Sequence, residues 1–162
     1  MEPKLIKLKT YSDNRGVFYE SHNSNLISNL DFNISQENTC ISKKNVLRGI
    51  HYQTEPYQQA KLLNVVNGKI LDICISLLPE TYGKVYRFLI SSNDNVLLYI
   101  PENYAHGYSI LEDNTIVSYK TNKLYNQNSE QGIHPLSKKL NIDWLIKNPI
   151  ISDKDLKLPQ FI

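Results

Sequence analysis

The 162 residues carry 18 basic and 16 acidic side chains, for a formal net charge of +2, a balance that supplies no field strong enough to hold a nucleic acid or a membrane surface. A chain of this length is expected to form one domain, residues 1–162, and to bury a core without metal or disulfide help. Cys40 and Cys74 have neither CxxC spacing nor scaffold density and read as reduced, buried thiols; the polar start MEPKLIKLKT is unlike a signal peptide, and no apolar run suits a membrane helix, so a cytoplasmic protein is expected.

In chain order, residues 4–8 read as a first strand that would need cover along its edge. Asp13-Asn14-Arg15-Gly16 is a turn signal, and residues 17–20 and 33–42 read as strands flanking a short helix at 25–30. Residues 61–66 and 69–77, joined by Asn67-Gly68, read as a β-hairpin, because Asn-Gly suits the positive φ angles of a type I′ turn. Further strands follow at 86–90, 96–100, 105–111 and 116–121, separated by clusters of Ser, Asn, Asp, Pro and Glu. Short strands at such regular spacing predict an all-β sandwich or barrel. Beyond Thr121 the pattern dissolves into a polar tail around Trp144, which is ordered only if something docks it.

The chemistry concentrates in VLRGIHYQTEPYQQAKL, residues 46–62, which packs a guanidinium, an imidazole, amides and an ammonium into one segment. Its alternation reads as a strand, on which Arg48 and His51 would face opposite ways. Gly49 can supply the bulge that brings them to one face. An ordinary strand histidine is the bland alternative, and the coincidence of four polar groups argues against it. His106, beside Gly107 at the head of a strand, pairs with His51 to raise a metal-site hypothesis. Against it, Gln53 stands where a second close histidine is wanted, so no metal is assigned. His22 and His134 lie in polar, loop-like sequence and read as solvent-exposed.

Seven ordered motifs carry a resemblance: DNRGVFYES, VLRGIHYQ, AKL, YIPENYAHGY, YKTNKLYNQNSEQGI, IDW and PIISDKD. Together they resemble the dTDP-4-dehydrorhamnose 3,5-epimerase family over nearly the whole chain. The resemblance implies a cupin-like double-stranded β-helix, or jelly roll, with short peripheral helices. It also implies a homodimer exchanging N-terminal strands, and catalysis with no metal and no cofactor.

By the same resemblance, His51 is the general base, Tyr119 the general acid, Asp155 the carboxylate that orients the histidine, and Lys61 the ammonium near the substrate ketone. Arg15 and Arg48 match the arginines that hold a pyrophosphate, a role suited to the guanidinium fork, and Tyr125 the aromatic that stacks on the base. Glu20, Gln36, Asn38, His106, Glu130 and Lys154 fall on positions that contact substrate or shape its pocket. The implied substrate is a nucleotide-linked 4-keto-6-deoxyhexose, whose hydrogens beside the ketone are acidified by it. Imidazoles ordinarily titrate near neutrality and can take such a proton. Ser76 and Leu78 replace an Asp and an Arg of the family pattern, which leaves the nucleotide and the sugar open. Two alternatives stand beside the double epimerase: an epimerase acting at one carbon only, and a non-catalytic sugar-binding cupin, which would be expected to have lost the base or the acid.

Overall fold

The computed structural model describes residues 1–30 and 32–162. Two five-stranded antiparallel sheets face one another in the cupin-like jelly roll. The strands are β1 (Lys4–Lys7), β2 (Thr10–Asp13), β3 (Gly16–Tyr19), β4 (Gln36–Ser42), β5 (Leu47–Gln53), β6 (Lys61–Asn67), β7 (Lys69–Ser76), β8 (Val85–Ser91), β9 (Val96–Ile100), β10 (Tyr104–Ile110), β11 (Thr115–Thr121) and β12 (Glu130–Gly132). One sheet has the order β1-β9-β6-β11-β4 and the other β12-β5-β10-β7-β8, while β2 and β3 form a separate two-stranded arm.

The period of two in the sequence sorts residues between the layers. On β6, Leu63 and Val65 point into the core between the sheets, whereas Leu62 points outward against Leu30, Phe32 and Tyr99. On β7, Ile70 and Cys74 face inward and Leu71, Ile73 and Ile75 face outward, yet both sets are buried. A strand covered on both faces loses its polar alternation, which is why ILDICIS reads as one apolar run. The outer cover of β7 is the C-terminal tail: Leu140 and Trp144 pack on Leu71, Ile73 and Ile75. The Trp144 indole donates to the Pro135 carbonyl at 2.8 Å, and Ser109 Oγ donates to the Trp144 carbonyl at 2.7 Å. Burying an aliphatic or aromatic side chain stabilises by roughly 1.5–3 kcal/mol, so a few such contacts suffice to order the tail.

Several expectations are corrected. Residues 25–30 form successive turns instead of a helix, held by Leu26 N to Asn23 O at 3.1 Å, Ser28 N to Asn25 O at 3.4 Å and Leu30 N to Ile27 O at 2.8 Å. Six residues rich in Ser and Asn cannot meet the cost of a helical nucleus, and tight turns suffice to bury Ile27 and Leu30. The segments around Asn67-Gly68 are strands but not a hairpin. β6 pairs with β9 and β11, and β7 with β8 and β10, so the chain turns a corner from one sheet to the other. Gly68 takes a φ of +85°, and a Cβ there would fall 2.2 Å from the Thr115 hydroxyl. The sequence signals the reversal but not the partner. Of the thiols, Cys74 is buried and Cys40 only half-buried; both are free. His22 and His134 are half-buried rather than exposed, His134 Nδ1 accepting from Leu136 N at 3.1 Å.

Candidate active site

Between the sheets lies a cleft of about 670 Å³. β5 supplies its first wall. The β5–β10 register pairs His51 with His106 and Arg48 with Tyr108, so β5 holds one residue more than its partner. The extra residue falls at Gly49, whose φ is +104° and whose missing Cβ would lie 2.7 Å from Gly107 Cα. Only glycine permits that approach. The bulge turns Arg48 and His51 to the same side, as the sequence suggested, and both line the cleft.

His51 Nε2 lies 2.6 Å from Asp155 Oδ1. Asp155 sits in α1 (Asp153–Leu156), a single turn capped by Ser152, whose hydroxyl accepts from the Asp155 amide at 3.1 Å. The tail reaches β5 because Leu47 N donates to Ile150 O at 3.0 Å and Ile150 N to Asn45 O at 2.8 Å. Gly49 N adds a 3.3 Å bond to the second carboxylate oxygen. Burial would raise the Asp155 pKa, but the His51 contact, the Gly49 amide and the Ser152 hydroxyl outweigh it and hold the carboxyl below its ordinary value. An anionic carboxylate on one imidazole nitrogen fixes the tautomer and leaves the other nitrogen as a base.

The facing sheet supplies Tyr119 from β11, Lys61 from the start of β6, and Gln36 and Asn38 from β4. Burial, with the nearby Cys40 and Glu130, raises the Tyr119 pKa against the opposing pull of Arg48, so the phenol keeps its proton. Burial lowers the pKa of the Lys61 ammonium, and Cys74 and Asp72 act the other way. Arg48 reaches the cleft held by Ser42 Oγ, 3.2 Å from both Nε and Nη2. At the mouth, Tyr125 donates to Glu130 Oε2 at 2.7 Å and the Lys154 ammonium bonds the same oxygen. Gln36 links to this group through the Tyr125 amide at 2.9 Å.

Thus His51, Tyr119, Asp155, Lys61, Gln36, Asn38, Arg48, His106, Tyr125, Glu130 and Lys154 come together around one cleft. Arg15 and Glu20 do not. Arg15 projects from the turn of the β2–β3 arm, its side chain 86% exposed and paired with Asp13, and Glu20 accepts from Asn23. Among the described residues no group of three or more His, Cys, Asp or Glu side chains is placed to share a metal ion. Asp72 is the residue that sequence reasoning missed. It is fully buried and lies 2.7 Å from His106 Nε2, and the available signal was a lone carboxylate at an inward position of the ILDICIS run.

The family model described as dTDP-4-dehydrorhamnose 3,5-epimerase matches residues 2–162. A relative from Shigella flexneri named dTDP-4-dehydrorhamnose 3,5-epimerase is 38% identical over 163 residues, covering 98% of this chain and 90% of its own. The crystal structure of the Bacillus anthracis enzyme with TDP and PPi bound superposes with a TM-score of 0.94 at 32% identity, covering 98% of this chain and 94% of that one. That of a dTDP-6-deoxy-D-glucose-3,5-epimerase from Legionella pneumophila, in complex with dTDP-4-keto-L-rhamnose, gives 0.89 at 32% identity over 99% and 94% of the two chains.

Proposed function

The chain belongs to the dTDP-4-dehydrorhamnose 3,5-epimerase family, and from that premise we propose that it epimerises a nucleotide-linked 4-keto-6-deoxyhexose at the carbons flanking the ketone. The observation that carries the reading is the placement of His51 on one sheet, backed by Asp155 of α1, and of the protonated Tyr119 on the other, with Lys61 lining the same cleft.

His51 removes the hydrogen beside the ketone, and Asp155 steadies the imidazolium that forms. The electron pair moves onto the ketone oxygen, where the Lys61 ammonium opposes a charge that exists only in the enolate and its flanking transition states. Tyr119 then returns a proton from the other face, which inverts the carbon. Arg48 holds the pyrophosphate, and Tyr125, with Glu130 and Lys154, shapes the nucleotide end of the cleft. Incubation with dTDP-4-keto-6-deoxyglucose in deuterated water tests the reading by NMR. Deuterium is expected at both flanking carbons. Incorporation at one carbon would make the protein a single-site epimerase, and incorporation at neither would leave only a binding protein.

We further propose a homodimer in which the β2–β3 arm of each copy lies on the other. Two features support it. Tyr11, Val17 and Phe18 of the arm are 50%, 59% and 65% exposed, and β4 ends its sheet with Ile41 69% exposed and one edge unpaired among the described residues. β1 pairs with β9 of its own chain, which leaves the β2–β3 arm as the N-terminal element that seeks a partner. Since alternate residues of β4 line the cleft, an arm laid on its free edge carries Arg15 and Glu20 towards the other copy's site. Light scattering at micromolar concentration should give a dimer; a monomer would overturn this arrangement. No helix of the described residues is long and apolar enough to cross a membrane, and two free thiols suit the reducing cytoplasm.

A further inference from the structure

The cleft holds a second histidine–carboxylate pair that the epimerase mechanism does not use. His106 Nε2 lies 2.7 Å from Asp72 Oδ2, and the Cys74 thiol donates to Asp72 Oδ1 at 3.5 Å. His51 and His106 are cross-strand partners, so the two imidazoles stand side by side with their carboxylates held by different elements, α1 and β7. Their surroundings differ. The His51 side chain is 34% exposed, whereas that of His106 is 7% and that of Asp72 0%.

A carboxylate cut off from solvent must be met by donors, and the His106 ring and the Cys74 thiol meet it. We propose that Asp72 is a positioning residue: it fixes His106 as the Nε2–H tautomer, with Nδ1 as the nitrogen that meets a hydroxyl of the bound sugar. The two pairs then divide the work. His51 with Asp155 moves protons. His106 with Asp72 stays fixed, because its ring is hydrogen-bonded to a fully buried carboxylate, whereas the His51 side chain stands one-third exposed.

The inference rests on the epimerase reading of the cleft, and its test separates the two. In the substrate-free protein, labelling with ¹⁵N-histidine should show His106 protonated at Nε2 and bare at Nδ1 at neutral pH. An Nδ1–H tautomer or an imidazolium there would overturn the proposal whether or not the enzyme acts on the ketosugar. Asp72→Asn keeps the size of the side chain and removes its charge. Its KM should rise roughly tenfold, the size of one weakened hydrogen bond to the sugar, with kcat falling less. In the ¹⁵N spectrum of the variant, His106 should populate the Nδ1–H tautomer, because an amide can donate to Nε2 as well as accept from it. A merely structural role would lower activity without moving that tautomer. An Asp72→Asn enzyme with the wild-type KM and an unshifted His106 tautomer would overturn the proposal, and should the variant not fold, the tautomer of the unmodified protein still decides it.

Discussion

Replacing His51 by Asn should abolish deuterium exchange and epimerisation together, each by roughly 10⁴-fold, the upper range for loss of a positioned general base. The amide keeps a polar group of similar reach in the cleft but cannot accept a carbon-bound proton at neutral pH. No enolate then forms, so neither signal has a source. The fold should tolerate the change: the His51 side chain is one-third exposed, and its bond inside the protein is to Asp155. Asp155→Asn should slow both signals in parallel and less severely, since an amide can still hold the ring but cannot stabilise its charged form. If His51→Asn lost inversion while exchange continued, a different group would be the base, and the His51–Asp155 pair would serve only to shape the cleft.

How much of this was legible before the fold was known depends on the range over which each residue acts. The placement of Arg48 and His51 on one face was legible because its cause is local: a glycine between them admits a bulge, and the bulge is there. The strands themselves were legible for the same reason. The pairing of β6 and β7 was not, because Asn-Gly reverses a chain equally well within a sheet and between two sheets. Asp155 could not be found from its own surroundings, where Asp153 and Lys154 make it look like a solvated tail charge. It becomes a buried ligand of His51, 104 residues away, only because Trp144 and Ile150 dock the tail; the family motif supplied what local pattern could not. Asp72 was masked by its apolar neighbours, and Arg15 shows the converse limit. Its motif matched, yet within one chain it lies on the exposed arm and does not line the cleft.

Tyr119→Phe should separate two signals that His51→Asn extinguishes together. Without the phenol proton, His51 can still take the substrate hydrogen and return it, or a solvent deuteron, to the face it came from. Exchange therefore continues, while delivery to the opposite face loses its donor and inversion falls by at least roughly 10²-fold, the lower range for a positioned acid. The fold should accept the substitution, since Tyr119 lines the cleft and phenylalanine keeps its ring. The ratio of exchange to inversion in Tyr119→Phe, followed by NMR in deuterated water, is therefore the most direct measurement of a base and an acid acting from opposite walls. The account predicts a ratio far above that of the unmodified enzyme, with deuterium appearing at carbons that keep their original configuration; inversion at near the unmodified rate would contradict it and assign the second proton to another group or to water.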